Sequence, residues 1–214
     1  MGAARDSQKT KATVIQAAGE LFAISGFSGV TARQVASKAG VSLGAIPYHF
    51  GSMEKLYDEV LITAVKISEE AQPLAEQALA AAPAEGLRLA IQWMIKDYSA
   101  QKVAWPLKLI EREAIDPSAS FRKVLKRHYL PEFDWLCEVI SRASGKSKDS
   151  DSVRFGTISM HLLTSTFMTH RRLLEDFAPR VVENVRESES FVEMIAHVTL
   201  DAVTRYEQAY PTIN

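Results

Sequence analysis

Residues 31–50 read TARQVASKAGVSLGAIPYHF. Thr31, with Gln34 three positions on, is a capping box, in which side chain and backbone of the two residues satisfy each other at a helix start. Val30 and Val35 are placed as its hydrophobic staple. The helix that Thr31 opens is short, because Gly40 stands where a closing residue must enter the left-handed region. Val41 follows as the apolar lock, and Ser42 reads as the N-cap of a third helix that ends in Tyr48, His49 and Phe50. A helix, a tight glycine turn and a short helix make the helix-turn-helix arrangement, whose second helix enters a DNA major groove while the first crosses the backbone. The same string also describes a bare αα-hairpin. Basic neighbours and the small residues Gly44 and Ala45 at the front of the third helix favour DNA.

The pattern extends both ways. Upstream, Val14, Ala18, Leu21, Phe22 and Ser25 recur at spacings of three and four, one buried helix face. Gly26 closes that helix, and Phe27 is placed to fold back onto Phe22. Downstream, Ser52 caps a fourth helix running from about Met53 to Gln72, with Leu56, Val60, Thr63 and Ile67 on one face. Pro47 is the irregular element. In a helix capped by Ser42 it removes the hydrogen bond to the Leu43 carbonyl, so a tight or irregular start is expected.

The rest of the chain also has helical periodicity. Pro83 opens a helix to about Ala100 with Leu87, Ile91, Met94 and Ile95 inward, and a shorter one spans Trp105 to Ala114. Pro117 opens a longer one that Pro131 should kink or divide. Residues 144–152, SGKSKDSDS, carry no core residue and read as a hinge. Two last helices are expected, at 153–177 and 191–206, the latter with a Ser190–Glu193 capping box. The 153–177 segment is apolar on more than one face, so it must be covered on several sides, by its own core or by a partner chain. A two-fold DNA reader needs two heads, which favours the partner. The expected class is all-α: a helix-turn-helix domain at 1–55 and a helical bundle for ligand binding and dimerisation at 56–214.

Composition is consistent with this. Of 214 residues, 47% are apolar, yet no apolar run approaches the roughly 18 residues that span a bilayer, so no membrane association is expected. MGAARDSQKT lacks the apolar core of a secretory signal, and Cys137 is the only cysteine, which points to a reducing cytoplasm. The net charge is −1, but it is unevenly spread. Residues 1–55 hold six basic and three acidic side chains, the remainder 19 basic and 23 acidic. A basic head on an acidic body suits phosphate binding at one end.

Residues 14–60, VIQAAGELFAISGFSGVTARQVASKAGVSLGAIPYHFGSMEKLYDEV, resemble the TetR family of one-component transcriptional repressors. The resemblance rests on the AA-x-x-LF helix, the following G-F, the T-x-x-x-V-A-x-x-A-G-V-S unit, H-F-x-S and E-x-L. It implies an all-helical fold, a homodimer formed through the last two long helices, and a small-molecule effector pocket in the body. It implies DNA contacts from Thr31 and Arg33 to phosphate, from Ser42, Leu43, Gly44 and Ala45 at the front of the recognition helix, from Tyr48 and His49 to the backbone, and from Lys55. Gln34 either reaches the groove or serves only the capping box. Met53 departs from the family, which places lysine there against a phosphate; the expectation is that Met53→Lys tightens binding to all DNA. EREAIDPSASFRKVL, residues 111–125, with Leu130-Pro131-Glu132, looks like the body of the CecR-like branch.

Catalysis finds no support. There is no GxGxxG or GxxxxGK[ST] phosphate loop and no GxSxG elbow. His161 and His170 are nine residues apart, on opposite helix faces, so they cannot share a metal. Glu111 and Glu113 diverge around their helix and read as solvated charge. No catalytic residue, cofactor or metal is expected. Trp93, Met94, Tyr98, Trp105, His161, Phe167, Met168 and Arg171 either line an apolar effector pocket or form plain core. The chain therefore reads as a ligand-responsive regulator, a repressor, binding a pseudo-palindromic double-stranded operator as a dimer and released by a small molecule. The alternative is a helical protein-interaction adaptor with a vestigial DNA-binding head.

Overall fold

The computed structural model describes residues 2–65, 71–100, 104–185 and 189–211, with the side chains of 2–5, 71–72, 97–100, 104 and 128 also left aside. The described residues fold as thirteen α-helices and one π-helical turn. The chain divides into two compact units: residues 1–67 with 103–131, and residues 68–102 with 132–214.

The first unit holds α1 (Gly2–Ser25), α2 (Ala32–Ala39), α3 (Ala45–Phe50) and α4 (Met53–Val65), joined by α7 (Ala104–Ile115), α8 (Ala119–Val124) and the π-turn Leu125–Tyr129. Its core takes Phe22 from α1, Val35 from α2, Ile46 and Phe50 from α3, and Leu56 and Leu61 from α4. Trp105, Leu109, Phe121 and Val124, from far later in the chain, complete it. Each such fully buried side chain contributes about 1.5–3 kcal/mol of transfer free energy. Gly26 adopts φ 68° and Phe27 returns onto Phe22 with ring centroids 6.0 Å apart, as the glycine-closed pattern requires. Trp105 lies so closely over α1 that a Cβ on Gly19 would stand 2.5 Å from its ring, and its indole N–H donates to Gln16 Oε1 at 2.8 Å.

Glu113 corrects the sequence expectation. Instead of being solvated it is 5% exposed, accepting hydrogen bonds from the Tyr57 hydroxyl and, at 2.8 Å, from the Ser118 backbone N–H. It continues the row Trp105–Leu109–Glu113, four residues apart, that faces the core. Burial and the adjacent Glu113 carboxylate push the Tyr57 phenol well above its ordinary range.

The helix expected from Pro117 is divided. Ser118 caps α8, its Oγ accepting the Phe121 N–H at 3.1 Å, and the π-turn then hands over to α9 (Leu130–Ser144). Pro131 sits at the second position of α9, just after the wider turn, where its missing N–H and ring are tolerated.

The second unit contains α5 (Ala71–Ala80), α6 (Pro83–Ala100), most of α9, α10 (Asp151–Thr169), α11 (Arg171–Phe177), α12 (Pro179–Asn184) and α13 (Glu189–Ala209). Leu87, Ile91, Met94 and Ile95 of α6 are buried, as their spacing dictates. The expected 153–177 helix breaks at His170 (φ −100°, ψ 18°) into α10 and α11. Ser190 lies inside α13, so it is not a cap; the Glu193 carboxylate pairs with Arg88 of α6 instead. Helices α10 and α13 pack closely at Gly156, where a Cβ would stand 2.5 Å from Val203 Cγ2. The buried hydroxyls of Thr157, Thr164 and Thr199 each return to the carbonyl four residues back at 2.8–2.9 Å, so burying them leaves no orphaned donor. On the outer side of the pair, Phe155, Ile158 and Leu162 of α10 and Met194 and Val198 of α13 are exposed. No helix among the described residues is long and apolar enough to cross a membrane.

Candidate nucleic-acid interface

Helix α2 is built as its sequence dictates. Thr31 Oγ1 accepts the Gln34 N–H at 3.3 Å while Gln34 Oε1 accepts the Thr31 N–H at 2.8 Å and its hydroxyl at 2.8 Å. Gln34 Oε1 is therefore engaged in capping. Arg33 is exposed on the first turn of the same helix. Gly40 (φ 66°) closes it, and the Val41 N–H reaches back to the Ala36 carbonyl at 3.0 Å.

The start of α3 differs from expectation. Ser42 is not its cap: the α-helix begins at Ala45 after Gly44 (φ −66°, ψ −15°), and the preceding turn is closed by bonds of shorter span, Ala45 N–H to the Ser42 carbonyl at 3.0 Å and Ile46 N–H to the Leu43 carbonyl at 3.4 Å. This resolves Pro47. In a helix starting at 45 it occupies the third position, where a backbone N–H has no intrahelical partner to lose. The Leu43 carbonyl that it cannot serve is taken by Ile46. The tight opening is thus the conformation the proline demands. It turns Ile46 and Phe50 inward, 2% and 6% exposed, and leaves Leu43 50% and Tyr48 82% exposed. His49 is half-buried with its ring edge-on to Tyr48, centroids 4.8 Å apart.

Gly44 is informative because the fold does not need it. Its φ is ordinary, and a Cβ there would meet no protein atom within 4 Å. Lys55 is exposed, its aliphatic stem lying along Gly51 at the α3–α4 turn. Ser52 caps α4, accepting the Lys55 N–H at 3.3 Å. Met53 is half-buried and packs against the core of the first unit.

The effector-pocket candidates separate. Trp105 is a core residue of the first unit. Trp93, Met94, His161, Phe167, Met168 and Arg171 lie in the second, and the side chain of Tyr98 lies outside the described residues. Trp93 and Met94 are buried, with Trp93 edge-on to Trp135 at 5.4 Å. Phe167 meets Phe191 edge-on at 5.2 Å. Burial holds the His161 imidazole below its usual range, favouring the neutral ring. Arg171 turns to Glu175, one turn along α11, at 2.8 Å.

The family profile described as "Bacterial regulatory proteins, tetR family" matches residues 14–60, the span of the capped α2, the proline-adapted α3 and the start of α4. A second profile, "HTH-type transcriptional dual regulator CecR, C-terminal domain", matches residues 83–203. The chain belongs to the TetR family of transcriptional regulators. Solved structures share the fold at low identity. A linker-substituted mutant of HlyIIR is 19% identical with a TM-score of 0.65, covering 91% of this chain and 99% of its own. HlyIIR itself, a hemolysin II transcriptional regulator, is 19% identical with a TM-score of 0.58, covering 83% and 97%. PfmR from Thermus thermophilus, a TetR family transcriptional regulator, is 19% identical with a TM-score of 0.59, covering 86% and 97%. No curated protein matched the sequence.

Proposed function

We propose that the protein is a cytoplasmic, ligand-responsive repressor of the CecR-like branch that binds a pseudo-palindromic operator as a homodimer and is released by a small molecule. Residues 1–55 carry the DNA contacts: Thr31 and Arg33 on phosphate, Ser42, Leu43, Gly44 and Ala45 at the base edges, and Tyr48, His49 and Lys55 on the backbone. Residues 56–214 bind the effector and the second subunit. The observation that carries the reading is the front of α3, where an exposed turn ends in a glycine that no internal contact or backbone angle explains. A position kept open toward solvent on a two-helix reader suits close approach of a base edge or phosphate. Dimerisation is supported by exposed apolar side chains on both helices, Phe155, Ile158 and Leu162 of α10 and Met194 and Val198 of α13. The matched body profile and the residues 111–125 support the branch.

The test is selection of duplexes from a random pool. Wild-type protein is expected to enrich an inverted repeat. Gly44→Val, with no protein atom to strike, is expected to keep the wild-type melting temperature within about 2–4 °C, since surface changes stay within ±0.5 kcal/mol, and to lose the enrichment. If wild type enriches no duplex, the adaptor reading replaces this one.

A further inference from the structure

Trp105 of α7 is buried, and its indole N–H donates to Gln16 Oε1 of α1 at 2.8 Å. An indole nitrogen donates only, so Gln16 must present its amide oxygen to the ring. The amide nitrogen is then left to point along α1. It donates to Glu20 Oε1, one turn on, at 2.8 Å. The other carboxylate oxygen, Glu20 Oε2, takes the Lys38 ammonium of α2 at 2.8 Å. Four side chains from three helices are thus joined end to end, and the sense of every bond follows from the first. The Trp105 ring also lies against Gly19, beside Glu20, so it bears on the α1 backbone as well as on the amide. Lys38 is where this relay reaches the reading helices. It stands in the last turn of α2, just before Gly40 turns the chain toward α3. The Lys38 and Glu20 side chains are 41% and 39% exposed, and an ion pair so open to water holds little by itself. The second bond, from Gln16, gives the carboxylate one orientation. The bond from Lys38, and then that from Gln16, hold the Glu20 carboxyl below its ordinary range, so the charged form is the one engaged.

We infer that Trp105, Gln16 and Glu20 are positioning residues for DNA binding: through Lys38 they fix the end of α2, and with it the angle at which α3 meets the groove. They act on the DNA contacts proposed above without making one. Withdrawal of the indole frees the Gln16 amide to turn its oxygen toward Glu20, where two acceptors meet, and Lys38 loses its oriented partner. Trp105 is also the first described core side chain after the chain returns to this unit at residue 103, so the relay begins where that returning segment is first held.

This inference rests on the DNA-binding reading above, and the experiment separates the two. Gln16→Met removes the middle of the relay without changing charge. Wild type and variant are titrated with the selected duplex and with a random duplex, well below the melting temperature of either protein. The variant should bind the selected duplex about 3-fold more weakly per head, the size of one exposed ion pair, and about 10-fold more weakly as a two-headed complex. Random duplex, held by phosphate attraction alone, should bind both proteins equally. The second readout is spectroscopic. The indole N–H resonance of Trp105, assigned through its contact with Gly19, should move when wild type takes up the selected duplex, because linked sites act on each other reciprocally. In Gln16→Glu the indole keeps an acceptor but Glu20 loses its amide donor, and the resonance should stay still. Equal affinity of wild type and Gln16→Met for the selected duplex, or an equal loss on both duplexes, overturns the relay alone. So does an indole resonance that stays still in wild type, or that moves as far in Gln16→Glu as in wild type. Wild type that binds neither duplex overturns both readings.

Discussion

Tyr57→Phe isolates a buried carboxylate contact that ties α4 to α7. Tyr57 is 3% exposed, and its hydroxyl donates to Glu113, itself 5% exposed. Removing that hydroxyl takes one donor from the Glu113 carboxylate and leaves it the Ser118 N–H at 2.8 Å. A hydrogen bond to a charged group contributes about 1.5–3 kcal/mol, and a buried carboxylate left short of donors adds to the loss. Tyr57→Phe should therefore cost about 2–3 kcal/mol, which lowers the melting temperature of a unit of this size by roughly 10 °C. Glu113→Leu alone strands the hydroxyl instead. The double variant Tyr57→Phe/Glu113→Leu removes both groups and should cost less than the two single losses together. The alkaline limb gives an independent readout. Because the folded phenol titrates above its unfolded value of 10.0, its contribution is complete below pH 10 and declines as pH rises past it. That decline should be absent in Tyr57→Phe. Thermal melts between pH 7 and 11 decide it: additive single losses, each under about 0.5 kcal/mol, would refute the buried-pair argument.

Gly156→Ala drives a methyl against Val203 and should cost about 1–3 kcal/mol by overpacking; a melt equal to wild type would refute the close approach of α10 and α13 there. Met53→Lys, expected from the family to tighten binding to all DNA, should instead leave the salt slope of binding unchanged and cost about 1 kcal/mol as the side chain gives up its apolar contact. A steeper slope at an unchanged melting temperature would restore the phosphate role. His161 is held neutral by burial, its folded pKa below the unfolded 6.5, so its contribution is complete above pH 6.5 and is lost as pH falls toward the folded value. Melts from pH 7 to 5 should fall less steeply in His161→Gln, and parallel curves would count against this.

What is legible in the sequence is local grammar. Thr31, Gln34, Gly40, Gly26 and Phe27 settle their geometry within five residues of themselves, and the structure has each where its spacing puts it. Ser42 misleads because the start of α3 is decided not by a cap-like side chain but by Pro47, which is accommodated best when the helix starts at Ala45. Pro131 announces a division of its helix, but the π-turn before it is not legible, because that depends on how α8 packs on α4. Glu113 is legible in principle, on the row of Trp105 and Leu109, but pairing it with a tyrosine 56 positions away is a tertiary fact. The departure of Met53 from the family lysine is visible in the sequence, and its inward packing is not.

The core that holds the reading helix is shared between α1–α4 and α7–α8, with residues 68–102 synthesised in between. At roughly 5–20 residues per second, the ribosome needs about 3–11 s to go from residue 67 to Val124. For that interval Phe22, Leu56 and Leu61 have no Trp105, Leu109 or Phe121 to cover them, so the nascent head is a substrate for chaperones before it is a reader of DNA. A messenger truncated after residue 67 would encode every residue of the proposed DNA contact and still not encode a finished head.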